Sequence, residues 1–166
     1  MLTNEKIKEL LQETISIAAK ALELGNYPIG SIITDSEGNI LAKDMNQRET
    51  QRDITAHAEI LCIRQLGNKL DNYSEGEHYL FSSLEPCFGC SFFIARTNIT
   101  KIYSALKDPH KGGVSDLASQ EQFKKFFEGK ELMSDLFPDL KEKSKKLMSQ
   151  YFRSIDRPQN AAFYEK

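Results

Sequence analysis

Apolar residues Ile7, Leu10, Leu11, Ile15, Ala18, Ala21 and Leu22 recur at helical spacing behind Thr3-Asn4, and Gly25 closes the run. The pattern predicts an amphipathic helix that covers a sheet. After Asn26-Tyr27-Pro28 the period shortens: 29–34 and 40–45 read as two strands joined by the turn Asp35-Ser36-Glu37-Gly38-Asn39. The polar stretch 46–53 is turn-like and leads to Asp53 or Thr55 as the cap of a second helix, which carries Ile60, Ile63 and Leu66 and ends near Gly67. A loop follows, then a strand at 78–84 and a helix running through Phe92, Phe93, Ile94 and Ala95 towards Asn98. The strand at 101–106 is expected parallel to the one before it, joined by a right-handed crossover. Beyond Gly112-Gly113 come an amphipathic helix over 117–127, a short strand near Leu132 and a helix from Pro138 to Arg153 with Leu140, Leu147, Met148, Tyr151 and Phe152 as its apolar side. These elements make one domain over residues 1–157, with 158–166 as a frayed C-terminal tail.

Composition narrows the class. A chain of 166 residues, 40% hydrophobic, is large enough for one core without disulfide staples. Charges follow Met1 instead of an apolar run, so the sequence predicts no signal peptide, no membrane segment and a cytoplasmic location. With 22 basic against 24 acidic residues the net charge is −2, which gives no global basic field of the kind nucleic-acid binders carry and points to a small substrate.

Candidate chemistry sits in two stretches. Thr55-Ala56-His57-Ala58-Glu59 places a metal-type ligand and a carboxylate two residues apart at a helix start. Glu85-Pro86-Cys87-Phe88-Gly89-Cys90 places two thiols three positions apart, behind a proline suited to a first helical turn. A catalytic zinc takes three protein ligands and keeps its fourth position for water. His57, Cys87 and Cys90 supply three, and a helix N-terminus favours the thiolate form that binds metal. Glu59 is then free to take and return a proton beside the activated water. A purely structural zinc would want a fourth protein ligand. Cys62 is the one spare cysteine, and it falls mid-helix, where a buried thiol is the simpler role.

His-x-Glu followed by Pro-Cys-x-x-Cys is the signature of zinc nucleobase deaminases. With Ile54 to Ile60 and Leu84 to Cys90 the chain resembles the cytidine deaminase-like superfamily, in the branch of tRNA adenosine, guanine and fungal-type cytosine deaminases. The resemblance implies an α/β fold of three layers, α/β/α, with a mixed five-stranded sheet. It also implies one zinc per chain, Glu59 as the proton carrier and a homodimer. Tyr27-Pro28-Ile29-Gly30 resembles a segment that walls the base pocket, so Pro28, Ile29 and Ala58 are expected at the substrate. Asn46 stands where the family has a base-binding asparagine. Non-catalytic deaminase-like binding subunits form the rival class, and they usually lack the glutamate.

Asp116, after Gly113-Val114-Ser115, falls near an aspartate with which guanine deaminases read a purine edge. The preferred expectation is therefore a free purine base or nucleoside, guanine in the first place. The alternative is a tRNA-specific adenosine deaminase acting at the wobble position, supported by Leu84-Glu85-Pro86-Cys87 and by the terminal-helix segment Leu147 to Arg153. Phe88 and Phe93 are expected to narrow the pocket or fill the core. Lys107, His110 and Lys111 either meet a phosphate or form a solvated loop, and the basic run 141–146 reads as a helix's wet face. Phe163 and Tyr164 are candidates for a lid over the site.

Overall fold

The computed structural model describes residues 2–71, 76–110 and 113–166. Five strands form one mixed sheet: β1 (Gly30–Asp35), β2 (Ile40–Met45), β3 (His78–Ser82), β4 (Ile99–Ser104) and β5 (Glu131–Ser134), in the order β2-β1-β3-β4-β5. β1 is antiparallel to both β2 and β3, whereas β3, β4 and β5 run parallel. The parallel half is reached through helical crossovers.

Alternation along the strands divides the core between the two sheet faces. Ile32, Tyr79, Phe81 and Tyr103 face helices α1 (Asn4–Glu23) and α7 (Pro138–Ser154), which supply Leu10, Leu11, Ile15 and Leu140. Ile33, Leu80 and Ile102 face α3 (Ala58–Leu66), α4 (Phe88–Ile94) and α5 (Val114–Ser119), which supply Cys62, Cys90, Ile94 and Leu117. This is the expected three-layer α/β/α arrangement. Gly30 lets α1 lie directly on β1, since a Cβ there would come within 2.4 Å of the Thr14 carbonyl oxygen. No helix among the described residues is long and apolar enough to cross a membrane.

Several local expectations change. The stretch 46–53 contains a one-turn helix, α2 (Arg48–Gln51). The single helix expected over 117–127 is broken into α5, α6 (Glu121–Lys124) and a 3-10 turn, Lys125–Phe127. Ser119 Oγ donates to the Asp116 carbonyl at 2.7 Å, a local bond that competes with helix continuation, and Gln120 turns extended. The expected tail is a helix as well. After Asp156 adopts a positive φ of 56°, Pro158 starts α8 (Pro158–Tyr164), and Ala161 and Tyr164 bury against Leu84, Leu106, Met148 and Phe152.

Candidate active site

His57 and Cys87 hold equivalent positions at the caps of two helices. The Asp53 carboxylate accepts the Thr55 N–H at 2.8 Å and the Thr55 hydroxyl at 2.7 Å. That turn precedes the helix, so His57, in extended conformation, is the N-cap of α3 in place of the expected Asp53 or Thr55. Cys87 is likewise the N-cap of α4, which puts Pro86 ahead of the helix and not in its first turn. Glu59 and Cys90 then project from the opening turns of their helices, two residues after His57 and three residues after Cys87.

The three ligand atoms form a nearly regular triangle. His57 Nδ1 lies 3.6 Å from Cys87 Sγ and 3.5 Å from Cys90 Sγ, and the two sulfurs are 3.6 Å apart. Zinc bonds of about 2.0 Å to nitrogen and about 2.3 Å to sulfur, at tetrahedral angles, require edges of about 3.5 Å between nitrogen and sulfur and about 3.8 Å between the sulfurs. The donor set fits zinc, with Nδ1 as the histidine ligand. His57, Cys87 and Cys90 are the one group of this kind among the described residues. Cys62 lies elsewhere, its thiol donating to the Ser31 carbonyl in the core.

The electrostatics suit a metal and a proton carrier. The Cys87 thiol is drawn down to about 4 by its hydrogen bond with Cys90 and by His57 beside it. Cys90 moves upward, because of the same hydrogen bond and its burial. Metal would displace the thiol protons and leave both sulfurs as thiolates. His57 is raised by its hydrogen bond to Cys87, against the opposite pull of burial. Glu59 is 2% exposed, and burial pushes its carboxyl up to about 7; its Oε2 lies 3.6 Å from Cys90 Sγ.

A cavity of about 300 Å³ opens on His57 and Cys87 of this triad. Glu59, His57 and Cys87 form its floor, and Ile29 and Asn46 form one wall. Asn46 Oδ1 accepts the Arg48 N–H at 3.0 Å, which leaves the Nδ2 end to meet a ligand. Pro28 and Ala58 adjoin this wall without lining it, and Ala58 is fully buried. Asp116 stands in the first turn of α5, outside the cavity. Asp108 lines it instead, with His110. Lys107 borders a neighbouring groove, and Lys111 lies outside the described residues. Phe88 and Phe93 are half exposed and belong neither to the cavity nor to the core; Phe93 lines an apolar groove on the other side of the metal ligands.

Arg48, Leu84, Glu85, Asp108, Met148, Phe152 and Asn160 also line the cavity without having been marked as its walls by the sequence, whereas Tyr27 belongs to the segment that was. Asp108-Pro109 offered only a turn signal, and Asn160 sits in what read as a tail. Tyr164 does line the cavity, and the Phe163 ring contacts His110 in a tilted arrangement, centroids 4.2 Å apart and planes at 47°.

Known proteins resemble this chain in sequence and fold. The family model for the cytidine and deoxycytidylate deaminase zinc-binding region matches residues 4–106. Over 107 residues the chain is 41% identical to the tRNA-specific adenosine deaminase of Aquifex aeolicus (strain VF5), covering 63% of this chain and 70% of that one. It is 30% identical to that of Bacillus subtilis (strain 168) over 152 residues, 92% of each. A structure from a study of A-to-I editing by tRNA:A34 deaminases superposes with a TM-score of 0.70 at 27% identity, covering 84% of this chain and 99% of that one.

Proposed function

We propose, from the premise that this chain belongs to the cytidine and deoxycytidylate deaminase zinc-binding family, that its zinc deaminase reaction converts adenosine to inosine at the wobble position of tRNA. The observation that carries this reading is the likeness to tRNA-specific adenosine deaminases, one of them along 92% of both chains. It replaces guanine as the preferred substrate, since Asp116, the residue behind that preference, stands outside the cavity. A homodimer, which the sequence resemblance implies, belongs to the same reading.

Bound zinc supplies a water acidic enough to give up a proton near neutral pH. Glu59, buried beside Cys90, is placed to take that proton. It gives that proton to the ring nitrogen as the water oxygen bonds to the amine-bearing carbon, and then moves the second proton of the same water, now on the new hydroxyl, to the amine as the C–N bond breaks. Ammonia leaves and a carbonyl remains. Asn46 and Ile29 orient the base, and Leu84 and Met148 help exclude water from it.

One observation favours a second reading. Asn160 and Tyr164 of α8 roof a space of about 300 Å³, a volume suited to a single base or nucleoside. Zinc-loaded protein is therefore to be given an anticodon stem-loop RNA with adenosine at the wobble position, and separately guanine, adenine, cytosine and their nucleosides. Inosine in the stem-loop, absent with Glu59→Ala, supports the tRNA reading. Ammonia from a free base or nucleoside alone overturns it in favour of the small-molecule enzyme.

A further inference from the structure

Glu85 stands two residues before the metal ligand Cys87, is 3% exposed, and spends both carboxylate oxygens on backbone N–H groups far away in sequence. Oε2 accepts from Asp108 at 2.9 Å and Oε1 from Ser115 at 2.7 Å. Burying a carboxylate is costly unless hydrogen bonds compensate for it, and these two flank the segment that brings Asp108 and His110 to the cavity.

Main-chain contacts converge on the same place. The Glu85 N–H donates to the Leu106 carbonyl at 2.8 Å, the Val114 N–H donates to the Pro86 carbonyl at 3.0 Å, and Cys87 pairs with Gly113 as an isolated bridge. Gly113 is required there because an added Cβ would lie 2.7 Å from Glu85 Cδ. The metal-bearing start of α4 and the Asp108 wall thus meet through one side chain.

We propose that Glu85 is a positioning residue for the deamination: its carboxylate fixes the Asp108–His110 wall relative to Cys87 and so sets the width of the substrate space above the metal ligands. This rests on the deaminase reading of the site and is independent of which substrate fills it. In Glu85→Gln the shape is kept, but an amide NH2 must face one of the two N–H donors, so one of those bonds is lost.

The test uses full-length, zinc-loaded Glu85→Gln and Gly113→Ala with three readouts: zinc per chain, amide exchange at Asp108, Ser115 and Leu80, and kinetics on the stem-loop RNA. In Glu85→Gln, zinc content stays at the wild-type level and exchange at Asp108 or Ser115 rises at least about tenfold while Leu80, in β3, is unchanged. KM rises about tenfold with kcat within about threefold. Gly113→Ala gives the same signature by pushing the carboxylate away, and the double variant is no worse than the poorer single one, as expected of one shared contact. Unchanged exchange at both amides overturns the proposal. So does zinc lost in step with activity, which makes Glu85 a support for Cys87, or exchange raised equally at Leu80, which makes it a general stabiliser. Should wild type leave the stem-loop unedited, the substrate reading fails while the exchange data still decide the role of Glu85.

Discussion

At Glu59 the chain leaves a carboxyl group in a place that burial alone would forbid, beside ligands that need it only for chemistry. Glu59→Gln keeps its size and removes its proton transfer. The expected result is a loss of about 10²–10⁴-fold in turnover with zinc per chain unchanged, read by metal analysis and inosine formation. Zinc lost together with activity would show that Glu59 is part of the ligand set. Asp35 illustrates the opposite use of a carboxylate. Burial acts to raise its pKa, but hydrogen bonds from the Asn39 side chain and from the backbone N–H groups of Asn39, Glu37 and Gly38 outweigh it and lower the value. A lowered folded-state value means that the carboxylate's contribution is present above the unfolded value of about 3.9 and is lost as pH falls through the folded one. Asp35→Ala should therefore melt about 2–4 °C below wild type at pH 7. The gap should close as pH falls from 4 to 2, and a gap constant with pH would rule out the ionised turn as its source.

The elements were legible in proportion to how much of their pattern is local. α1, the β1–β2 hairpin and α7 came out of apolar periodicity and turn residues almost to the residue, because each has a continuous apolar stripe and its own stop signal. The metal triad was legible for a different reason: zinc demands donors of fixed type at fixed spacing, and that demand is written into two short motifs. Asp108, Glu85 and Asn160 were not, since their roles depend on which loop packs against which, and neither a turn aspartate nor a tail asparagine carries that information. α8 is the extreme case. Seven residues do not hold a helix in water by themselves, so it exists because Ala161 and Tyr164 dock on α7 and on the ends of β3 and β4. Tyr164→Ala should consequently release α8 and leave the domain standing. Limited proteolysis at residues 155–158 should quicken by about tenfold or more, with the main melting transition moved by no more than about 3 °C. If the whole domain melts earlier instead, α8 is part of the cooperative core.

For the whole molecule, the surface beside the site is the feature that a single chain does not explain. Ile54 is 75% exposed, and Phe88, Phe92 and Phe93 are each about half exposed. Ile54 and Phe93 line a groove of about 580 Å³ together with Ile60 and Ile63, and its inner end reaches His57, Cys87 and Cys90. Monomers rarely leave so many large apolar side chains together on one face. A second copy of the chain is the occupant that the family resemblance implies, with Asp53 and Arg64 at the polar margin of the groove. The protein should then elute and scatter light at twice its 18.9 kDa chain mass. Phe93→Asp, which touches neither the cavity nor the core, should return it to the chain mass by placing a desolvated charge in the interface. Because the groove abuts the metal ligands, that monomer should also lose zinc to a chelator faster than the dimer does. A monomeric wild type would remove the dimer from the proposed function, and a dimer untouched by Phe93→Asp would put the interface on another face.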